Sequence, residues 1–280
     1  MKMNKIKTGL LLVMLSGTLS LLGRVGNPIF YYDADFPRSG NTGYLAERCV
    51  LDLRIPKEAK NFPTLIWFHG GGLTSGDKHY PDGIDPKRIA IAAVSYRLSG
   101  PRAECPDYIY DAAAAASWVL KHIGEYGGDP GQVYVAGHSA GGYLAAMIAL
   151  DVRYMKTFGT TPNSFAGVFP ISGQMTTHFQ VLAERRAKNP KTPDIMLDEF
   201  APISCARKNA PPLLFLVGDT DLEWPARVEE NLLMEARLRR NFGDKQVRIM
   251  TFPSFDHATV CAPSAAVINH YILTRFNTAR

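Results

Sequence analysis

Cysteine is scarce in this sequence. Cys49, Cys105, Cys205 and Cys261 are widely scattered with no Cys-x-x-Cys pair, which argues against a zinc site or a dithiol redox motif. Four cysteines allow three full pairings and the spacing selects none, so buried free thiols are an equal expectation. Repeats and low-complexity tracts are absent, so a solenoid or a disordered tail is not expected. Excess charge is lacking too. The formal charge is +5, but Lys2, Lys5 and Lys7 stand before one apolar run, Gly9 to Gly23. Setting residues 1–23 aside leaves 28 basic against 26 acidic residues, which gives no support for nucleic-acid binding. That run is short for a membrane span and is interrupted by Ser16, Gly17, Thr18 and Ser20. No cysteine closes it, so a lipid anchor is not indicated. A basic start followed by a short apolar stretch has the pattern of an export signal over 1–23, with a periplasmic or secreted mature chain. No clear small-residue cleavage site precedes Arg24.

What remains, 24–280, is long enough for one α/β domain, and the composition of the full sequence, 46% hydrophobic and 20% charged, is ordinary for a globular protein. The stretch VYVAGHSAGGYLA, Val133 to Ala145, organises it. A β-branched apolar run stops at Gly137-His138-Ser139-Ala140-Gly141, and a small-residue helical segment follows. This is a Gly-x-Ser-x-Gly corner between strand and helix, the context in which the motif carries chemistry. The corner lifts Ser139 above the sheet edge and aims the helix N-terminus at the same spot. A hydroxyl there can attack a carbonyl, and the Ala140 N–H can hold the oxyanion.

Further apolar runs read as strands at 29–32, 49–55, 64–68, 89–95, 165–171, 213–217 and 246–252, with a turn region at 39–43. Helices are expected over 107–123, 226–241 and 262–276. Alternating strands and helices imply a mostly parallel sheet with helices on both faces, and ligands gather at the strands' carboxyl ends. At one such end stands His69-Gly70-Gly71-Gly72, whose glycines let backbone N–H groups approach a ligand. With a serine corner downstream, Gly71 and Gly72 are expected to join Ala140 in an oxyanion hole.

A serine nucleophile needs a base and an acid, in chain order Ser, Asp or Glu, His for this kind of sheet. Of seven histidines, His257 lies just past the last strand. His178 comes before the candidate acid, His270 falls inside a helix, and His138 adjoins Ser139 and is expected to point away from it. In LLFLVGDTD, Asp221 is chosen as the acid and Asp219 is the runner-up, with a turn hydrogen bond as its alternative role. Asp256 and Asp198 are remoter candidates.

The phrases FHGGGLTSGDK, VSYRL, GGDPGQVYVAGHSAGGYLA, PPLLFLVGDTD and FPSFDHATV together resemble α/β-hydrolases. The resemblance is to esterases with an HGGG loop, the hormone-sensitive-lipase-like and BD-FAE-type carboxylesterases, and it covers about Tyr44 to Tyr271. It implies an α/β-hydrolase fold and cleavage of carboxylic esters through an acyl-enzyme, with no metal or organic cofactor. Leu73 stands where many relatives carry an aromatic residue. The region 174–210 resembles a reduced cap, which suits short acyl groups or acylated, including feruloylated, carbohydrates better than long-chain triglycerides. The same triad would serve an amidase, peptidase or formamidase, and a non-catalytic binding protein on this fold is the alternative from another class.

Overall fold

The computed structural model describes residues 28–32, 42–57 and 60–278. The expected signal segment 1–23 lies outside the described residues. Eight strands form one sheet: β1 (Ile29–Phe30), β2 (Val50–Arg54), β3 (Phe62–Phe68), β4 (Ala90–Val94), β5 (Gly128–His138), β6 (Gly167–Ile171), β7 (Leu213–Val217) and β8 (Val247–Thr251). Their spatial order is β1-β2-β4-β3-β5-β6-β7-β8. β1 and β2 pair antiparallel at one edge, and every pairing from β4 to β8 is parallel.

The central strands are apolar because both of their faces are covered. All seven residues of β3 are buried. One face carries α1 (Thr42–Arg48), α2 (Asp107–His122), α3 (Ala140–Leu150), α4 (Val152–Thr157) and α6 (Arg227–Ala236). Tyr108, Leu144, Met155 and Met234 pack there with Val135 and Phe215. On the other face α7 (Cys261–Thr278) packs Ile268 and Ile272 on Trp67, Tyr134 and Phe169. α3 is buried over its whole length, which explains its lack of any charged residue. α5 (Phe179–Lys188) lies in the excursion between β6 and β7.

The order places the site. From β3 the chain moves outward to β4, then returns to lay β5 on the opposite side of β3, and continues outward through β6, β7 and β8. The connections leaving β3 and β5 therefore diverge, and a crevice opens at their carboxyl ends. His69-Gly70-Gly71-Gly72 and Ser139 stand at those ends.

Two expectations fail in detail. The stretch around residue 43 belongs to α1, a seven-residue helix that buries Tyr44 and Leu45. The single helix expected over 226–241 is α6 followed by a π-helical turn, Arg237–Asn241. All four cysteines are free thiols. Among the described residues no helix is long and apolar enough to cross a membrane.

Candidate active site

Ser139 sits at φ 55°, ψ −116° between β5 and α3. Such a backbone costs a non-glycine residue about 1–3 kcal/mol and persists only where its surroundings impose it. Small residues impose it here. A side chain at Gly137 would stand 2.4 Å from the Gly141 backbone, and one at Gly141 would stand 2.1 Å from the Phe68 carbonyl oxygen. The helix start is thus pressed onto the end of β3. Gly142 packs in the same way on the Ile171 carbonyl, 2.8 Å from where its Cβ would be.

His257 lies in the loop between β8 and α7. The Ser139 hydroxyl donates to His257 Nε2 at 2.9 Å. Nδ1 of the same ring donates to Glu223 Oε2 at 2.7 Å. The structure therefore brings the expected Ser139 and His257 together, and the carboxylate it sets against His257 is Glu223, not Asp221. Asp221 is exposed, and its own N–H donates to Asp219 Oδ1 at 3.0 Å.

The reason is the turn that follows β7. The Asp219 carbonyl accepts from the N–H groups of Leu222 and Glu223, at 3.1 and 2.9 Å, so residues 219–223 wind one helical turn. Asp221 falls on the outer side of that turn, and Glu223, four residues after Asp219, returns to the sheet. Asp219 has the structural role held as its alternative, since its carboxylate takes the N–H groups of Asp221 and Ser254. Asp256 accepts from Ala258 and Thr259 at the approach to α7, and Asp198 holds Thr177 and Arg185. Gly218 makes room: a Cβ there would stand 2.4 Å from the Phe255 carbonyl and 3.0 Å from Glu223 Cγ.

The Glu223 side chain has no exposed surface, and burial alone would push its carboxyl up. Hydrogen bonds from His257 and Ser172, the charge of His257 and the Trp224 N–H outweigh that and hold it down at about 2. Its oxygens accept from Ser172 Oγ, from Gly218 N at 3.3 Å, from Trp224 N at 3.1 Å and from His257. Ser172 is itself held at φ 46°, and its carbonyl accepts from Arg227.

His138 is a second residue that sequence reasoning left idle. Its ring turns to the α7 face of the sheet, where Nε2 donates to the His257 carbonyl at 2.6 Å. The two rings pack 4.8 Å apart. Burial, with the His257 charge added, pulls His138 down to about 4, so it is neutral at ordinary pH. The motif signalled it only by offering a polar side chain at the last residue of the strand.

The glycine loop is fixed from below. His69 Nδ1 donates to the Gly70 carbonyl at 2.7 Å, and its ring stacks on Tyr96 with centroids 4.3 Å apart. Burial lowers His69 to about 4. The Gly71 carbonyl accepts the N–H groups of Thr74 and Ser75. In a trans peptide the C=O and the following N–H point opposite ways. The Gly71 N–H therefore faces away from the His69 ring, and the Gly72 N–H away from the 74–75 turn. Only glycine fits at 71, where φ is +107° and a Cβ would stand 2.2 Å from the Ser75 carbonyl. Gly70 touches the serine side, its Cβ position being 3.5 Å from Ser139 Cβ. Ala140 is the first residue of α3, so its N–H has no intrahelical acceptor.

Residues 51–168 match the BD-FAE family. The Mycobacterium tuberculosis protein described as "Probable carboxylic ester hydrolase LipM" is 30% identical over 62% of this chain and 45% of its own length. Esterase LipI of the same organism is 36% identical over 43% of this chain and 39% of its own. The chain thus spans less than half the length of these two relatives. Among solved structures, a truncated carbohydrate esterase from gut microbiota superposes with a TM-score of 0.71 at 16% identity, covering 92% of this chain and 98% of that one. The sheet order, the serine corner and the superposition give the chain an α/β-hydrolase fold, and the match to the BD-FAE family runs from β2 through the serine corner into β6.

Proposed function

We propose that this protein is a serine esterase that cleaves carboxylic esters with short acyl groups, acylated carbohydrates among them, through an acyl-enzyme. The observation that carries the proposal is the unbroken relay from Ser139 Oγ through His257 to the buried Glu223, at 2.9 and 2.7 Å. Ser139 attacks the ester carbonyl while His257 takes its proton. Glu223 holds the Nδ1–H tautomer and stabilises the imidazolium. The oxyanion is received by the N–H groups of Ala140, Gly71 and Gly72, and its charge is favoured at the N-terminal end of α3. His257 returns the proton to the leaving alcohol. Water then repeats the sequence on the acyl-Ser139 ester, releasing the acid. Each step is a proton transfer or an acyl transfer, so the residues present suffice.

The excursion 174–210 serves as a small cap. Glu184 of α5 anchors it by accepting from Ser99 and from Cys105 N. The apolar leader 1–23 directs export in this reading. Hydrolysis of p-nitrophenyl acetate by the wild-type protein, abolished in a folded Ser139→Ala variant, is the expected result. A Ser139→Ala protein that keeps its activity removes the assignment.

A further inference from the structure

Arg227 opens α6 and is only 4% exposed. Among the described residues its guanidinium forms no ion pair, and its Nε is buried without an acceptor. The Trp224 ring lies 6.0 Å from the guanidinium carbon, at the outer limit of a cation–π contact. Burying a cation this way is costly, and an apolar side chain would fill the same space at less expense. Burial lowers the Arg227 pKa against the opposing charges of Glu230 and Glu223. The arginine therefore feels the carboxylate that faces His257 without touching it.

What its guanidinium does touch is the Ser172 carbonyl, to which Nη1 donates. Ser172 directly follows β6 at φ 46°, a backbone that a residue with a Cβ keeps only when it is held. Fixing that carbonyl fixes the direction in which Cβ and Oγ leave the chain. The Ser172 hydroxyl donates to Glu223 Oε1, whose other contact is the Gly218 N–H at 3.3 Å. Glu223 Oε2 accepts from His257 Nδ1. Ser172 thus sets the rotation of the carboxylate from the side opposite the imidazole. Two more residues of α6 hold the segment beyond Ser172. Asn231 Nδ2 donates to the Gly173 carbonyl at 2.8 Å, and Glu230 Oε2 accepts from the Met175 N–H at 2.7 Å.

We propose that Arg227 is a positioning residue for the reaction: by holding the Ser172 carbonyl it fixes the hydroxyl that orients Glu223, and so aligns His257 with Ser139. The inference rests on the esterase reading above and adds to it a residue that acts through three successive hydrogen bonds.

The test is a double-mutant cycle on p-nitrophenyl acetate turnover, with the low-field proton resonance of His257 Nδ1–H as a readout that needs no substrate. Arg227→Met should lower kcat about tenfold with KM little changed, and should shift or broaden the resonance. Arg227→Lys, which keeps a cationic donor, should recover part of the loss. Ser172→Ala leaves Arg227 in place and should reproduce the loss, so it carries the test if Arg227→Met does not fold. In a Glu223→Gln background Arg227→Met should cost nothing further, because the carboxylate it acts through is gone. Equal losses in both backgrounds, an unchanged resonance, or a Ser172→Ala protein with wild-type kcat overturns the positioning role alone. A wild-type protein without turnover overturns the esterase reading and the positioning role with it.

Discussion

Exchanging the two competing carboxylates, one at a time, separates the structural assignment from the one the sequence suggested. Glu223 is fully buried, accepts four hydrogen bonds and is held at about 2 against an ordinary 4.5. That difference favours its ionised form by about 3 kcal/mol. Glu223→Gln keeps the shape but removes the charge that faces the imidazolium at 2.7 Å. Loss of the charge and scrambling of the tautomer should lower kcat roughly 10³- to 10⁴-fold, or about 4–5.5 kcal/mol. Asp221→Asn changes an exposed turn residue and should move kcat by less than about threefold. The assay is p-nitrophenyl acetate turnover at pH 7.5, with circular dichroism to confirm folding. A 100-fold loss in Asp221→Asn beside a near-normal Glu223→Gln refutes the reasoning. Stability carries the same signature with a definite sign. Because folding depresses the Glu223 carboxyl, its contribution is present above pH 4.5 and is lost as pH falls toward 2. Denaturant titrations of the wild type should show this loss, and Glu223→Gln should lack it.

Other outcomes follow from single contacts. Ser139→Gly should be more stable than Ser139→Ala by about 1 kcal/mol, a gain of roughly 2–4 °C in Tm, because only glycine relaxes at φ 55°; equal melting points contradict the strain. Gly141→Ala places a methyl 2.1 Å from the Phe68 carbonyl oxygen and should cost at least about 3 kcal/mol in denaturant unfolding. His138→Phe keeps the ring packing and removes the bond to the His257 carbonyl. It should lower kcat about tenfold with KM unchanged, and an unchanged kcat removes His138 from the positioning of the base.

The parts of the site legible in the sequence were those fixed by local chemistry. β3, β5 and β7 carry apolar runs that give way to His69-Gly70, Gly137-His138 and Gly218, and the glycine loop and the serine corner announce themselves at the first two of those ends. Chain order singled out His257 because one loop past the last strand can return over the corner. α1 was not legible: TGYLAER is short, holds a glycine, and owes its helix to the burial of Tyr44 and Leu45. Glu223 was hidden for a different reason. Choosing among carboxylates at 219, 221 and 223 depends on whether the chain after β7 runs extended or winds a turn. The bonds from 222 and 223 back to the Asp219 carbonyl decide it. His138 and Trp224 contact His257 from 119 and 33 positions away, and no local pattern encodes those contacts.

The central claim is that Ser139 is the nucleophile and His257 its base. Treating the intact protein with a fluorophosphonate and mapping the adduct by mass spectrometry tests it most directly. The expected result is one phosphonyl group on Ser139 in the wild type, with labelling strongly slowed in His257→Ala. A folded protein that stays unlabelled at Ser139, or that labels at an unchanged rate without His257, contradicts the account.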